Sequence, residues 1–444
     1  MTGTAMRIGR AMAETRIESG RTRLHYGWVV MGVTFAVLLI AAGMRSAPTV
    51  LIVPLESEFG WSRATISLAI ALQLFSYGLI GPFSAGCIDR FGLRATMVGA
   101  LALTLIGMGF TPFITAPWNL WPIWGLALGS GTGAAAMVMA AVVANRWFVA
   151  RRGVVMGFLT GSTAAGQLVF LPLFATAVAH YGWRVSVFIG CAFVLATIPL
   201  AWLLMRDHPA DIGLTPYGQP PDVAVPPPAP KANPFAAAFS ALGVAVVHRD
   251  FWYLSAGFFV CGASTIGLIG THFIPACLDH GIPETTAAGI LAFMGVFNIV
   301  GTTISGWFTD RFDSRWLLFF YYAARGVSLL FLPYAFDLSF WGLALFGIFY
   351  GLDWIATVPP TVRLAANAFG VQNAGMMYGW IMVMHQLGAA AAAYGSGLLH
   401  VELGNYNAAF FGAGALSMLA AFLSLRVGVG RKPSSPKPAF AGAG

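Results

Sequence analysis

The stretch Gly86-Cys87-Ile88-Asp89-Arg90-Phe91-Gly92-Leu93-Arg94 is a charged turn set between two long apolar runs, and the chain carries it twice. The second copy is Gly306-Trp307-Phe308-Thr309-Asp310-Arg311-Phe312-Asp313-Ser314-Arg315. Asp310 follows Asp89 by 221 positions, and Arg315 follows Arg94 by the same 221. Other landmarks keep the interval. Pro54, Glu58, Gly60 and Thr65 answer to Pro275, Asp279, Gly281 and Thr286 at 221, and Asn145, Trp147, Gly157 and Gly166 answer to Asn367, Phe369, Gly379 and Gly388 at 222. Several matches in one order at nearly one offset make the chain two copies of one design.

Composition says where such a chain can live. It is 58% hydrophobic and 9% charged, with a mean hydropathy of +0.76; a soluble chain carries roughly 25% charged residues. Apolar runs of about 20 residues recur, each enough to cross the hydrocarbon as a helix. The expected class is an all-α membrane protein of twelve transmembrane helices in two six-helix repeats. They are expected at about 26–55, 64–88, 94–113, 118–145, 152–180 and 183–205, then at 250–278, 285–309, 315–335, 339–363, 374–399 and 405–427. The domain plan is an N-terminal tail 1–24, a first bundle 25–205, a Pro-rich linker 206–248, a second bundle 249–427 and a tail 428–444.

A net charge of +8 in a soluble protein would suggest nucleic acid. Here its placement speaks for topology. With both termini on one side, that side collects Arg7, Arg10, Arg16, Arg21, Arg23, Arg90, Arg94, Arg146, Arg151, Arg152, Arg206, Lys231, Arg249, Arg311, Arg315, Arg363, Arg431 and Lys432. The other side receives Arg63 and Arg184 with Glu56, Glu58, Asp279, Asp337 and Glu402. By the positive-inside rule the termini are cytoplasmic. The expected location is the inner (plasma) membrane of a bacterium; the absence of an Asn-x-Ser/Thr sequon is compatible with that source. Cys87, Cys191, Cys261 and Cys277 lie in or beside apolar segments without ligand spacing, so no metal site, cofactor or disulfide framework is expected.

The Asp89–Arg94 turn resembles the signature between helices two and three of the major facilitator superfamily, Gly-x-x-x-Asp-Arg-x-Gly-Arg-Arg. Gly86 stands one place late, Leu93 replaces the first of the paired basic residues, and in the second copy Asp313 stands where the second glycine belongs. A further stretch, Trp147-Phe148-Val149-Ala150-Arg151-Arg152-Gly153-Val154-Val155-Met156-Gly157, is similar to the entry of helix five in monocarboxylate porters. Gly43, Arg45 and Pro54…Glu58-Phe59-Gly60-Trp61-Ser62-Arg63 resemble the bacterial branch that includes oxalate:formate exchangers. The resemblance implies a substrate site near mid-membrane between the halves, reached by alternating access. It also makes Asp89, Arg90, Arg94, Asp310, Arg311, Arg315, Arg151 and Arg152 expected gating residues, which latch the halves in one state and release them in the other.

Charges at membrane depth are costly and so are candidates for function. Three lie clearly inside helices. Arg45 is the expected anion ligand, since guanidinium is permanently charged and binds carboxylate bidentately. Arg325 and Asp353 both fall about 15 Å deep and are expected either to form a buried ion pair or, if Asp353 is free, to supply a proton-coupling carboxylate. Gln167, Asn298, His385, Gln386 and Tyr378 are the expected uncharged polar substrate-binding groups, His385 either binding the anion when protonated, carrying the coupled proton or serving as a satisfied core histidine, and His272 a gate or proton group. The aromatics Tyr350, Trp354, Phe293 and Trp380 suit a substrate with an apolar or aromatic body, or simply face lipid. Helices eight and eleven contain no basic residue between their ends, which disfavours a dianion held by two embedded cations. The expected activity is therefore secondary transport of a small organic monocarboxylate with a proton. The alternatives are export of a drug-like or neutral solute, or organic-anion exchange. Expected partners are the small organic anion, the proton and the lipid bilayer, with no nucleic acid. No enzyme is expected, because no Gly-x-Ser-x-Gly, His-Glu-x-x-His or Walker loop occurs.

Overall fold

The computed structural model describes residues 25–219 and 234–428. The tails and the linker segment 220–233, with the N-terminal arginines, Lys231, Arg431 and Lys432, lie outside the described residues. Twelve long helical elements run in sequence: α1 Tyr26–Phe59, α2 Arg63–Phe91, α3 Leu93–Gly109, α4 Trp121–Trp147, α5 Arg152–Tyr181 and α6 Trp183–Leu204. In the second half they are α7 Arg249–Asp279, α8 Glu284–Arg311, α9 Ser314–Asp337, α10 Ser339–Phe369, α11 Val371–Leu403 and α12 Asn407–Ser424. Eleven of the described helices are long and apolar enough to cross a membrane. The twelfth, α11, is 33 residues long and carries His385 and Gln386 near its middle.

The halves are built alike. Packing of α1 on α5, α2 on α4 and α3 on α6 recurs as α7 on α11, α8 on α10 and α9 on α12. One face carries the ends of the described chain, His25 and Gly428, with Arg90, Arg146, Arg206, Arg249, Arg311 and Arg363, and is called the arginine-rich face below. Across the halves α2 packs on α11 and α5 on α8.

Three helices expected to be continuous are broken, for readable reasons. In α10 the ladder opens between Asp353 and Val358. Pro359 and Pro360 have no N–H, so the carbonyls of Ile355 and Ala356 lose their usual partners. Val358 N donates to Ile355 O at 2.9 Å, and Ser305 Oγ of α8 donates to Ala356 O at 2.5 Å. In α4 the ladder breaks at Ala135–Ala136, where Ser84 Oγ of α2 donates to Ala134 O at 3.0 Å. Ser84 and Ser305 are 221 positions apart. The repeat thus extends to a helix break and the serine that satisfies it. In α7, Ala263–Ile269 forms a wide π turn between two α segments.

The segment read as a proline linker contains order of its own. Tyr217 pairs with the backbone of Trp147 and Phe148, and a helix spans Pro234–Ala245. This linker helix packs on both α2 and α11 at the arginine-rich face, with Phe239 about midway between Phe83 and Trp380, 6.1 Å from each ring.

Small residues set the close helix contacts. Gly301 of α8 lies against the Leu352 carbonyl of α10 so tightly that an added Cβ would overlap it. Gly301→Ala is expected to pry α8 from α10, at an overpacking cost of about 1–3 kcal/mol, read as a lower melting temperature in detergent. An unchanged melting temperature would contradict this packing.

Candidate functional site

Arg45 is the twentieth residue of α1, about 28 Å from the helix start at the arginine-rich face and about 21 Å from its other end. Its guanidinium lies 5.1 Å from the centroid of the Tyr77 ring on α2. No carboxylate reaches it among the described residues, and the side chain is half-buried. Pro48 has no N–H to give the Met44 carbonyl, one residue before Arg45, and the Arg45 carbonyl accepts a bond from Gln73 Nε2 at 3.0 Å.

What holds Gln73 and Tyr77 in place is a glycine row on α4. Gly125, Gly129 and Gly133 recur every four residues and press on Leu72, Gln73 and Tyr77 in turn; added Cβ atoms would meet the Gln73 and Tyr77 carbonyls. On the other side Gly78 receives the side chain of Gln386 from α11. Gln73 Oε1 and Gln386 Oε1 are both buried without a partner. The neighbourhood of Arg45 is thus a permanent cation, an aromatic ring and the Gln73 amide, from α1 and α2, with the Gln386 amide of α11 packed on the adjoining Gly78. The sequence reading missed Tyr77 and Gln73; the four-residue glycine spacing in α4 was the available signal.

Gln167 on α5 faces the gap between the halves. At 100° per residue, Val155, Leu159, Ser162, Gly166 and Phe170 form the buried face, with Gly166 against the Leu39 carbonyl and Phe170 against Gly43 of α1. Val154, Phe158 and Val169 fall on an exposed apolar face. Between the side facing α1 and the side where Ala164 nears Gly295 of α8 lie Met156, Thr160, Thr163 and Gln167, partly exposed and mostly polar. That strip lines the gap between the halves.

Other expected ligands are occupied elsewhere. Asn298 Oδ1 accepts from Thr302 Oγ1 and from Ile355 N, each at 3.1 Å, so it bridges the α10 break. Arg325 and Asp353 are paired: Arg325 Nε donates to Asp353 Oδ2 at 2.6 Å, and Nη2 to the carbonyls of Asp353 at 2.8 Å and Trp354 at 3.3 Å. Both are buried, and the guanidinium caps the strand of backbone that Pro359 and Pro360 disrupt. His385 turns into the second half, beside Phe258 and against Gly262, next to the Cys261 thiol. Tyr378 packs edge-on to Phe258. Tyr350 donates to the Ser264 carbonyl, while Phe293 is exposed. The structure sets Tyr77 and Gln73 beside Arg45 and Gln386 against Gly78, leaves Gln167 on the α5 strip between α1 and α8, and places Asn298, His385, Tyr378, Arg325 and Asp353 within the second half.

The expected gating residues are braced inside their own halves. Arg146 donates to Asp89 at 3.0 Å, Arg94 N donates to Asp207 at 2.8 Å while its guanidinium stacks on Trp202, and Arg152 donates to the Phe148 carbonyl. Arg151, at φ 59°, makes the left-handed turn into α5. Arg90 lies over Phe91 and Arg311 over Trp307. Arg363 pairs with Asp310 at 3.7 Å and donates to the Thr309 carbonyl. Arg315 pairs with Asp313 at 2.6 Å, which holds the Asp313 carboxyl below its usual range. Among the described residues no ion pair joins the halves at this face.

The join is on the opposite face, at a residue that the sequence reading treated only as an outside charge. Arg63, at the start of α2, donates through Nη1 and Nη2 to both oxygens of Asp279 at the end of α7, each at 2.6 Å. It also donates to Glu56 of α1 at 2.7 Å and to the Tyr406 hydroxyl at 3.4 Å, and its Nη1 lies 3.1 Å from His400 Nε2 of α11. His272 is part of the same cluster: both ring nitrogens are engaged, with the Tyr406 hydroxyl and the Ala393 carbonyl. Gly397 of α11 presses on Ser67 and the Arg63 carbonyl, and Gln386 on Gly78, but two turns further on nothing lies within 4 Å of the Gly379 Cβ position. The halves close at this face and part towards the arginine-rich one.

The sequence pattern of the Major Facilitator Superfamily matches residues 33–358 and 273–443. The chain belongs to that superfamily. It is 24% identical over 392 residues to the "Uncharacterized MFS-type transporter YcxA" of Bacillus subtilis, covering 85% of this chain and 89% of that one. It is 25% identical over 414 residues to human "Monocarboxylate transporter 11", covering 90% and 82%. In structure it is similar to a D-xylose-proton symporter, with a TM-score of 0.69 at 15% identity, over 90% of this chain and 98% of the other. The protein is a multi-pass membrane transporter, not an enzyme, and its relatives include monocarboxylate transporters.

Breaking a buried ion pair leaves an uncompensated charge, at a cost of about 3–5 kcal/mol. Arg325→Met and Asp353→Leu are each expected to lower thermal stability sharply, and the double substitution to recover much of the loss. Equal losses in the single and double variants would show that the pair is not the unit.

Proposed function

We propose that the protein carries a small organic monocarboxylate together with a proton by alternating access. The observation that supports this reading is the unpaired Arg45 at mid-depth. An arginine in the hydrocarbon region without a carboxylate costs at least about 2.5–3.5 kcal/mol, and a substrate carboxylate removes that cost by forming the bidentate pair the protein withholds. The Tyr77 ring lies 5.1 Å from the guanidinium carbon, and no carboxylate among the described residues takes the guanidinium's donors. The free Oε1 atoms of Gln73 and Gln386 accept hydrogen bonds from a hydroxyl on the substrate or from bound water. One cation suits one negative charge, so a dianion would be left half compensated.

Loading and release follow from which face is closed. In the present arrangement the Arg63 hub closes the face away from the chain ends, and the cleft opens towards the arginine-rich face, which the positive-inside rule assigns to the cytoplasm. Transport requires the hub to break and the Asp89–Arg94 and Asp310–Arg315 turns to meet across the halves. A neutral sugar-like or drug-like solute would use the amides of the cleft but would give Arg45 no partner, which makes it the weaker reading.

Uptake of labelled aliphatic and aromatic carboxylates into proteoliposomes tests the proposal. An acid-outside gradient is expected to stimulate uptake of at least one monocarboxylate. Arg45→Gln is expected to lower apparent affinity roughly 10- to 150-fold, the loss of one charge-assisted pair of about 1.5–3 kcal/mol. Arg45→Lys should recover part of it, keeping charge without the fork. Silence of a folded, reconstituted protein across the panel would overturn the monocarboxylate reading.

A further inference from the structure

We infer that the Arg63 hub contains a proton site at His400, and that the proton bound there unlocks the face the hub closes. The argument starts from one atom. His400 Nε2 lies 3.1 Å from Arg63 Nη1 and 2.9 Å from Asp279 Oδ2. In the neutral tautomer with its proton on Nδ1, the Nε2 lone pair accepts from Arg63. A protonated Nε2 can only donate, and its available acceptor is Asp279 Oδ2, the same oxygen that Arg63 Nη1 holds at 2.6 Å. Protonation therefore replaces an attraction to Arg63 with a repulsion, and sets His400 and Arg63 in competition for one carboxylate oxygen.

The division of the cluster between the halves gives this exchange a direction. Arg63 and Glu56 belong to the first half; Asp279 and His400 belong to the second. With His400 neutral, Asp279 has its charged partner only across the interface, and the lock holds. With His400 protonated, each half contains a complete ion pair, Arg63 with Glu56 and His400 with Asp279, and separation leaves no charge alone. Solvent favours the same outcome, since the His400 side chain is 15% exposed in the closed hub and a charged imidazole gains hydration when the face opens. A proton bound at His400 therefore weakens the closed arrangement relative to the open one.

The surrounding groups do not offer the same switch. His272 on α7 is satisfied as a neutral imidazole, accepting from Tyr406 and donating to the Ala393 carbonyl. Tyr406, ahead of α12, passes the Arg63 contact to His272. On the first half Glu58 is tied to Trp183 and Arg184 at 2.5–2.9 Å. Of the groups facing His400, the Tyr406 ring lies 4.6 Å away, and Arg63 from α2 and Asp279 from α7 are those whose pairing its proton rearranges; Glu56 from α1 pairs with Arg63 instead. The proposal builds on the proton-coupled reading above and supplies that reading with a site. Its test measures a conformation without substrate, so a wrong substrate class and a wrong proton site give different results.

Spin labels at Tyr181→Cys on α5 and Leu403→Cys on α11, both exposed at the closed face, report the separation of the halves in the purified full chain with its native cysteines replaced by serine. At about pH 8 the short distance should dominate, and at about pH 5.5 the population should shift to a longer one. His400→Gln should remain short at both values. His400→Arg, permanently charged, should be long at both. A distance distribution that does not change with pH in the parent, or a shift that survives in His400→Gln, overturns the proposal.

Discussion

A charge inside a membrane must be neutralised, hydrated or used, and this chain places three of them at depth. Arg325 and Asp353 neutralise each other, and their pair also serves the backbone, because the guanidinium caps the carbonyls at the break in α10. Arg45 has an aromatic face beside it and, among the described residues, no carboxylate. The architecture of the cleft follows from that asymmetry: the first half presents a permanent cation, and the second half contributes an amide across the interface.

The same electrostatic economy governs the boundary between the halves. At the arginine-rich face every ion pair among the described residues is internal to one half, so those turns are free to part. At the opposite face Arg63 is shared between Glu56 of its own half and Asp279 of the other. A cleft closed at one end and open at the other is the consequence. The linker helix, with Phe239 between Phe83 and Trp380, spans the open end on the α2–α11 side.

Much of the fold was legible in the sequence because a repeat and a hydropathy pattern survive without knowledge of contacts. The 221-residue interval gave two halves, and it even relates Ser84 to Ser305, although the function of those serines appears only once the breaks in α4 and α10 are seen. Arg45, Arg325 and Asp353 stood out because depth alone makes a charge conspicuous. Less legible were residues whose role depends on a neighbour distant in sequence. Asn298 looked like a cleft ligand, and its oxygen is spent on Ile355 N. Arg63 stood only as one of two basic residues on the outer side and the end of a family-typical stretch, and is buried beside Asp279, 216 positions away in sequence and 2.6 Å away in space. Tyr77 was overlooked because an aromatic in an apolar helix carries no signal until the glycines of α4 fix which way its helix faces.

The central claim is that Arg45 is held without a partner so that a substrate carboxylate can become one. Thermal stabilisation of the purified protein by a series of carboxylates and their isosteric amides tests it most directly, since only the charge differs within each pair. The account predicts that a carboxylate raises the melting temperature, that its amide does not, and that Arg45→Gln removes the difference. Equal stabilisation by acid and amide, or a difference that persists in Arg45→Gln, would contradict it.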